Sequence, residues 1–255
     1  MHVLIDSHCH LDAAEFDPDR AAVLRRARAA GVSLQVVPAV AADGWQALRD
    51  LCAGESGLHP AYGLHPMFLD RHRPRHLDEL AQWIERERPC AVGECGLDHF
   101  VDGLDPVQQR HYFRAQLDLA RAFDLPVILH ARRALDEVID ALRRVGGLRG
   151  VVHSFSGSEE QARQLFALGF HLGIGGPVTY DRARRLRGIV ARMPIEYLLL
   201  ETDAPDQPLA THRGVRNEPA RLPEVAVAVA SLRGQSLEAL AEATTANARR
   251  LFGLG

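Results

Sequence analysis

The residues best suited to chemistry fall in one short stretch, where Val3, Leu4 and Ile5 lead into Asp6, Ser7, His8, Cys9, His10, Leu11 and Asp12. If 3–10 is extended, side chains alternate between two faces, so His8 and His10 point one way and Cys9 the other. Two imidazoles and two carboxylates at a strand end gain nothing from packing. They do have the donor chemistry of a divalent-metal seat. Hydrogen-bonded histidines at a strand end would produce the same His-x-His spacing, so other parts of the chain must decide.

Those parts are the residues that follow later apolar runs: His65, Glu94, His130, His153 and Asp203. Four imidazoles (His8, His10, His130, His153) and two carboxylates (Glu94, Asp203), with no thiolate among them, suit Zn, Mn, Fe, Co or Ni, and Mg at weaker affinity. Six ligands exceed the three that one catalytic zinc takes from protein, so two metals are the simpler account. Glu94 is then the expected bridge between ions about 3.5–4 Å apart, and a hydroxide between them the expected nucleophile, with Asp203 as its base. His65, in a loop stiffened by Pro66, is expected either to protonate a leaving group or to hold a phosphate oxygen.

Bringing these positions together requires a repeating scaffold. Apolar, β-branched runs alternate with longer amphipathic segments, the pattern of βα units around a parallel sheet. Strands are predicted over 3–7, 34–39, 61–64, 90–93, 126–129, 150–152, 170–174 and 197–201. Helices are predicted over 19–30, 44–52, 77–88, 106–123, 135–145, 159–168 and 182–192, with two more near 223–231 and 237–251. Asp105 before Pro106 is an N-cap with a first-turn proline, and Ser158 with Gln161 has capping-box spacing. Eight βα units in this length predict a (β/α)8 TIM barrel, whose active sites gather at the C-terminal ends of the strands. A doubly wound sheet is the alternative, weakened by the lack of a GxGxxG turn.

Composition narrows the chemistry further. With 255 residues, 47% of them hydrophobic, and no linker, low-complexity tract or repeat, the chain reads as one domain over 1–255. No segment has the pattern of a signal peptide or approaches the roughly 18 apolar residues of a membrane span, so a cytoplasmic protein is expected, acting as a monomer. Cys9, Cys52, Cys90 and Cys95 form no CxxC pair and read as buried thiols. All 30 basic residues are arginine. Lysine Schiff-base and pyridoxal-phosphate chemistry are thereby excluded, as is a carbamylated lysine between two metals.

Secondary contacts are less determined. Glu201, two before Asp203, could support the site or pair with an arginine. Arg132 and Arg133 after His130 are placed for phosphate, and Phe155 with Ser156 and Gly157 could stack on a base and donate hydrogen bonds. Arg71, Arg73 and Arg75 with His72 and His76 form the densest basic run, best explained as a solvated loop. Asp6 and Asp12 are expected to orient the imidazoles.

With those residues in place, the chain resembles the TatD family of metal-dependent deoxyribonucleases, within the amidohydrolase-like barrels. The resemblance rests on DSHCHLD at 6–12, GLHP at 63–66, VGECGLD at 92–98, PVILH at 126–130, VHSFSG at 152–157, LETDAP at 200–205 and RNEP at 216–219. It implies that His8, His10, Glu94, His130, His153 and Asp203 bind two divalent cations and that His65 lies in the substrate site. It also implies a nuclease, with 3′-to-5′ exonuclease action on single-stranded DNA and sometimes RNA, although some relatives are linked to removing D-amino acids from mischarged tRNA. Four residues, at three places in the chain, depart from the family pattern. His99 and Phe100 stand where an aromatic pair is common, Met67 replaces a second histidine, and Ser154 stands where Cys is frequent. None of these is a ligand, so they bear on substrate preference.

The expected function is therefore two-metal hydrolysis of phosphodiester bonds in nucleic acid, with Asp203, Glu94 and His65 in catalytic roles and His65, Arg132 and Phe155 as substrate contacts. The alternative is an amidohydrolase or esterase, such as a D-aminoacyl-tRNA deacylase, using the same metal centre. A non-catalytic nucleic-acid-binding barrel is disfavoured because its hallmark would be lost ligands.

Overall fold

Eight parallel strands pair in chain order: β1 (Leu4–Asp6), β2 (Val32–Pro38), β3 (Leu58–Tyr62), β4 (Ala91–Asp98), β5 (Val127–Arg132), β6 (Gly150–Val152), β7 (Phe170–Ile174) and β8 (Leu198–Leu200). The computed structural model describes residues 3–255, so the first two residues of the expected domain lie outside the described chain. Nine helices among the described residues alternate with and follow the strands: α1 (Arg20–Ala29), α2 (Trp45–Gly54), α3 (Arg75–Glu87), α4 (Pro106–Ala122), α5 (Leu135–Val145), α6 (Glu159–Ala167), α7 (Arg184–Arg192), α8 (Leu222–Arg233) and α9 (Leu237–Phe252). The architecture is a (β/α)8 TIM barrel. No helix among the described residues is long and apolar enough to cross a membrane.

The barrel closes at a seam rather than a ladder. Just beyond the ends of β8 and β1, Ser7 N donates to Leu200 O (3.0 Å), Asp203 N to His8 O (2.9 Å) and His10 N to Ala204 O (2.7 Å). The chain that closes the barrel is thus the chain that carries His8, His10 and Asp203. Asp6 reinforces it, accepting from Thr202 N (2.9 Å), Thr202 Oγ1 (2.5 Å) and His8 N (3.3 Å).

Two apolar layers hold this frame. Inside the barrel, Ile5, Val36, Ala61, Ala91, Ile128, Val151 and Leu199 come from seven of the strands and meet Leu251 and Phe252 of α9. Outside it, a larger cluster joins the other strand faces to the helices, with Leu135, Val138, Ile139, Leu142 and Val145 forming the buried stripe of α5. The predicted caps are present: Asp105 accepts from Val107 N and Gln108 N, and Ser158 with Gln161 forms a complete capping box.

The strands differ from the sequence prediction at the ends that matter most. β1 stops at Asp6, so His8 and His10 lie on irregular chain. Leu4 and Cys9 share the helix-side cluster although five positions separate them, so strict alternation breaks once in between. The face assignment of Cys9 nevertheless stands. β4 and β5 run past their predicted ends, with pairing that continues to Asp98 opposite Arg132. Glu94 and His130 therefore sit within strands, because a ladder persists for as long as its neighbour supplies partners, whatever the side-chain polarity. A register shift between Val92 and Cys95 puts both of these residues on the helix side and leaves Glu94 facing the mouth.

Candidate metal centre

All six expected ligands converge at the C-terminal mouth, and Glu94 divides them into two groups. Its Oε2 lies 3.2 Å from His8 Nε2 and 3.5 Å from His10 Nε2, and Asp203 Oδ1 lies 3.5 and 3.8 Å from the same two nitrogens. Its Oε1 lies 2.8 Å from His153 Nε2, 3.2 Å from His130 Nδ1 and 3.0 Å from His65 Nε2. Ligand atoms of His8, Glu94 and His153, of His8, His10 and Asp203, and of His65, Glu94 and His130 each lie within 4.8 Å of one another.

This donor set fits divalent cations. Glu94 Oε2, the oxygen that faces His8 Nε2 and His10 Nε2, is buried without a hydrogen-bond partner among the described residues. Such orphans are costly unless something completes them. A carboxylate whose two oxygens face separate groups of imidazoles has the arrangement of a bridging ligand.

Burial and mutual charge set the protonation of the metal-free cluster. Burial alone would raise Glu94, but the positive charge of His153 and the contact with His10 hold it well below the usual carboxylate range. Burial would lower His10 and His153, yet contact with Glu94 lifts them to about 9 and about 10. Burial and the charge of His153 keep His8 well below its ordinary value. Burial raises Asp203 and lifts Glu201 to about 8. Cations entering this cluster must displace protons from His10 and His153.

The supporting residues are sharper than the sequence implied. Asp98, assigned no role from sequence, accepts from His130 Nε2 (2.8 Å), while its other oxygen accepts from Phe100 N (2.8 Å) and Val101 N (3.0 Å). The proton on Nε2 leaves the Nδ1 lone pair of His130 facing Glu94, the carboxylate–histidine–metal pattern. A signal existed, because Glu94 and Asp98 are four residues apart on one strand and so share a face. Gln207 Nε2 was likewise unassigned; it donates to Asp203 Oδ2 and to Ser154 Oγ. Asp203 (φ +55°), Ser154 (φ +47°) and Gln207 (φ +49°) all adopt left-handed backbone, a conformation that concentrates at functional sites.

Other expectations resolve differently. Glu201 finds no arginine; Ser154 N donates to its Oε1, which lies 3.9 Å from His153 Nδ1. The carboxyl fits only because residue 173 is glycine, where a Cβ would meet Glu201 Oε2 at 2.0 Å. Asp6 supports His8 through the backbone rather than the imidazole, and Asp12 lines the cavity without a hydrogen bond to a ring. Phe155 is corrected: it is 2% exposed within the helix-side core and cannot stack on a base. Phe68, its ring centroid 5.6 Å from that of His65, lines the cavity instead. In the basic run, Arg71 pairs with Asp43, Arg75 pairs with Glu79, and His72 and His76 are buried.

A cavity of about 750 Å³ opens above Glu94, bounded by Asp12, Glu15 and Asp206 on one side and by Arg132 on the other, with His65 between them. Met67 N donates to His65 Nδ1, which places the ring proton on Nε2, toward Glu94. Burial lowers His65 to about 4, so the ring is neutral.

Comparison with known proteins agrees with this geometry. The profile of the TatD related DNase family matches residues 5–253. The chain is 42% identical over 254 residues to the uncharacterised metal-dependent hydrolase YjjV of Escherichia coli K12, covering 98% of each chain. It is 36% identical over 267 residues to the 3′-5′ ssDNA/RNA exonuclease TatD of Erwinia tasmaniensis, covering 98% of this chain and 100% of that one. The crystal structure of YjjV, a TatD homologue from Escherichia coli K12, superposes with a TM-score of 0.95 at 40% identity, covering 99% of this chain and 98% of that one. The fold, the ligand cluster and the match along nearly the whole sequence lead to one conclusion: the chain belongs to the TatD-related DNase family.

Proposed function

We propose that this member of the family, a metal-dependent hydrolase acting on ester bonds, cleaves phosphodiester bonds of single-stranded nucleic acid from the 3′ end, with two divalent cations. The observation that carries the reading is the division of ligands by Glu94: His8, His10 and Asp203 serve one oxygen, and His130 and His153 the other. Bound there, the cations would supply Lewis acidity and a water acidic enough to attack phosphorus near neutral pH.

The residues of the chain do the rest. Asp203, raised by burial and oriented by Gln207, accepts the proton of the attacking water as the new P–O bond forms, and the ester oxygen released as the old P–O bond breaks takes its proton from solvent. Asp98 keeps the Nδ1 lone pair of His130 available. His65, neutral and carrying its proton on Nε2, donates it to Glu94 Oε1 (3.0 Å) and so orients that carboxylate at the floor of the cavity; a ring pushed down to about 4 is poorly matched to protonating a leaving group at neutral pH. Arg132, which lines the cavity, adds positive charge to the space in which the phosphoryl oxygens become more anionic.

A second reading, hydrolysis of an aminoacyl ester at the 3′ end of RNA, is favoured by the opposite wall, where Asp12, Glu15 and Asp206 would receive an ammonium group. Metal-loaded protein assayed with each divalent cation on 5′-labelled single-stranded DNA, aminoacyl-tRNA and simple esters separates the two. Stepwise shortening of the labelled strand is expected. Robust ester cleavage with no nucleotide release would refute the nuclease reading.

A further inference from the structure

Beside the metal cavity lies a second cavity of about 540 Å³, and the two share Ala131 and Ser156 as a common wall. Arg133 and Arg185 line it, and Arg185 reaches across from α7 to donate to Ser156 O (2.7 Å). Between the cavities stands an unusual arrangement: Arg132 and Arg133 lie against the ring of Phe100, their guanidinium carbons 3.6 and 4.6 Å from its centroid. Phe100 is 43% exposed, although an exposed ring contributes nothing to a core.

Many arginines here are bound to carboxylates, as Arg26 is to Glu218 and Arg149 to Asp124. Arg132 and Arg133 make no ion pair or side-chain hydrogen bond to any described residue. An arginine steadied by an aromatic face rather than a carboxylate keeps its charge and its five N–H donors for a ligand. The carboxylates nearby are already engaged: Glu137 with Arg110 and His99, and Asp136 with Gln161. The first turn of α6 is satisfied by its own capping box, so Arg132 and Arg133 are the free donors here, while Arg185 has one of its N–H groups on Ser156 O.

The mouth is therefore polar in charge, with carboxylates on the β1 and β8 side and unpaired arginines on the β5 to β7 side. Resting on the nuclease reading, we propose that the nucleic-acid strand leaves the metal cavity over the loops after β5, β6 and β7, with Arg132, Arg133 and Arg185 holding successive phosphates and Phe100 positioning the first two guanidiniums. Asp12, Glu15 and Asp206 repel a phosphate on the opposite side, which makes that side a closed end for the terminal nucleotide. The surface confers no base preference, because its contacts are to the backbone.

The test is fluorescence anisotropy of 5′-labelled (dT)10 with EDTA-treated full-length protein across a salt series, where binding is read without cleavage. R132A/R133A is expected to weaken binding about tenfold at 0.1 M salt and to flatten the log–log salt dependence by about 1.4, the value for two lost contacts to a single strand. F100A should weaken binding by a smaller factor with the salt slope retained, because it disorders the arginines without removing charge. R132K/R133K should keep most of the slope. E15Q should leave affinity unchanged or tighten it. Wild-type binding too weak to measure, an unaltered slope in R132A/R133A, or a loss in E15Q as large as in the arginine variant would each overturn the proposed path. The nuclease reading fails separately: wild-type protein that binds (dT)10 as described but releases no nucleotide with any divalent cation would keep the path and refute the reaction.

Discussion

Asp98→Asn changes one atom and tests how the site is organised. In the native site one oxygen of Asp98 accepts from His130 Nε2 at 2.8 Å and the other from Phe100 N and Val101 N at 2.8 and 3.0 Å. Asparagine can satisfy only one side. If its oxygen keeps the two backbone amides, its NH2 faces His130 Nε2 and favours the tautomer with the proton on Nδ1. That nitrogen is the one 3.2 Å from Glu94 Oε1, and protonated it cannot ligate. If the amide flips, its donors face two backbone N–H groups, and leaving buried partners unpaired costs about 1–3 kcal/mol. Lost carboxylate support of this kind lowers metal affinity about 10–100-fold, or about 1.4–2.7 kcal/mol. The loss should fall on one cation only, since His8, His10 and Asp203 do not touch Asp98. Calorimetric titration of metal-free D98N with Zn or Mn should therefore show one equivalent bound as in wild type and one weakened, with a thermal melt to verify folding. Two equivalents bound with wild-type affinities would refute the tautomer argument.

Four further outcomes follow from the same geometry. In G173A the added methyl overlaps the Glu201 carboxyl, so a loss of about 1–3 kcal/mol is expected, partly recovered in G173A/E201A; additive losses on denaturant melts would show that the overlap relaxes elsewhere. F155A should cost about 3–5 kcal/mol of stability with KM preserved, whereas a base-stacking residue would show the reverse. C9A should retain activity while H8A and H10A lose it, because Cys9 is buried on the helix side; equal loss in all three would mean that the face assignment is wrong. In metal-free protein, His10 and His153 are raised to about 9 and about 10, so their contribution to stability is full below about pH 6.5 and lost as pH rises through those values. Metal affinity should run the other way, strengthening up to the same range, and calorimetry at pH 7 in buffers of different ionisation enthalpy should register at least two protons released on saturation, from His10 and His153. No proton release would contradict the assignment.

The βα repeat, the barrel edge at which the six residues converge and the identity of those residues were legible in the amino-acid sequence. Those features depend on local periodicity and on residue type, both of which are properties of a short stretch. Roles that depend on pairs distant in the chain emerge from the folded arrangement alone. That arrangement showed Asp98 turning His130, Gly173 making room for Glu201, and β1 and β8 joining at a seam through His8, His10 and Asp203. It also moved Phe155 from the mouth into the core, because one shift in the chain's path after β6 reverses what a side chain faces, and no local pattern records it. The stretch from Asp6 to Asp12 shows both sides. Its residue types announce a metal seat, but β1 ends at Asp6, and the two imidazoles meet because hydrogen bonds to the chain leaving β8, at Asp203 and Ala204, hold the irregular stretch in place.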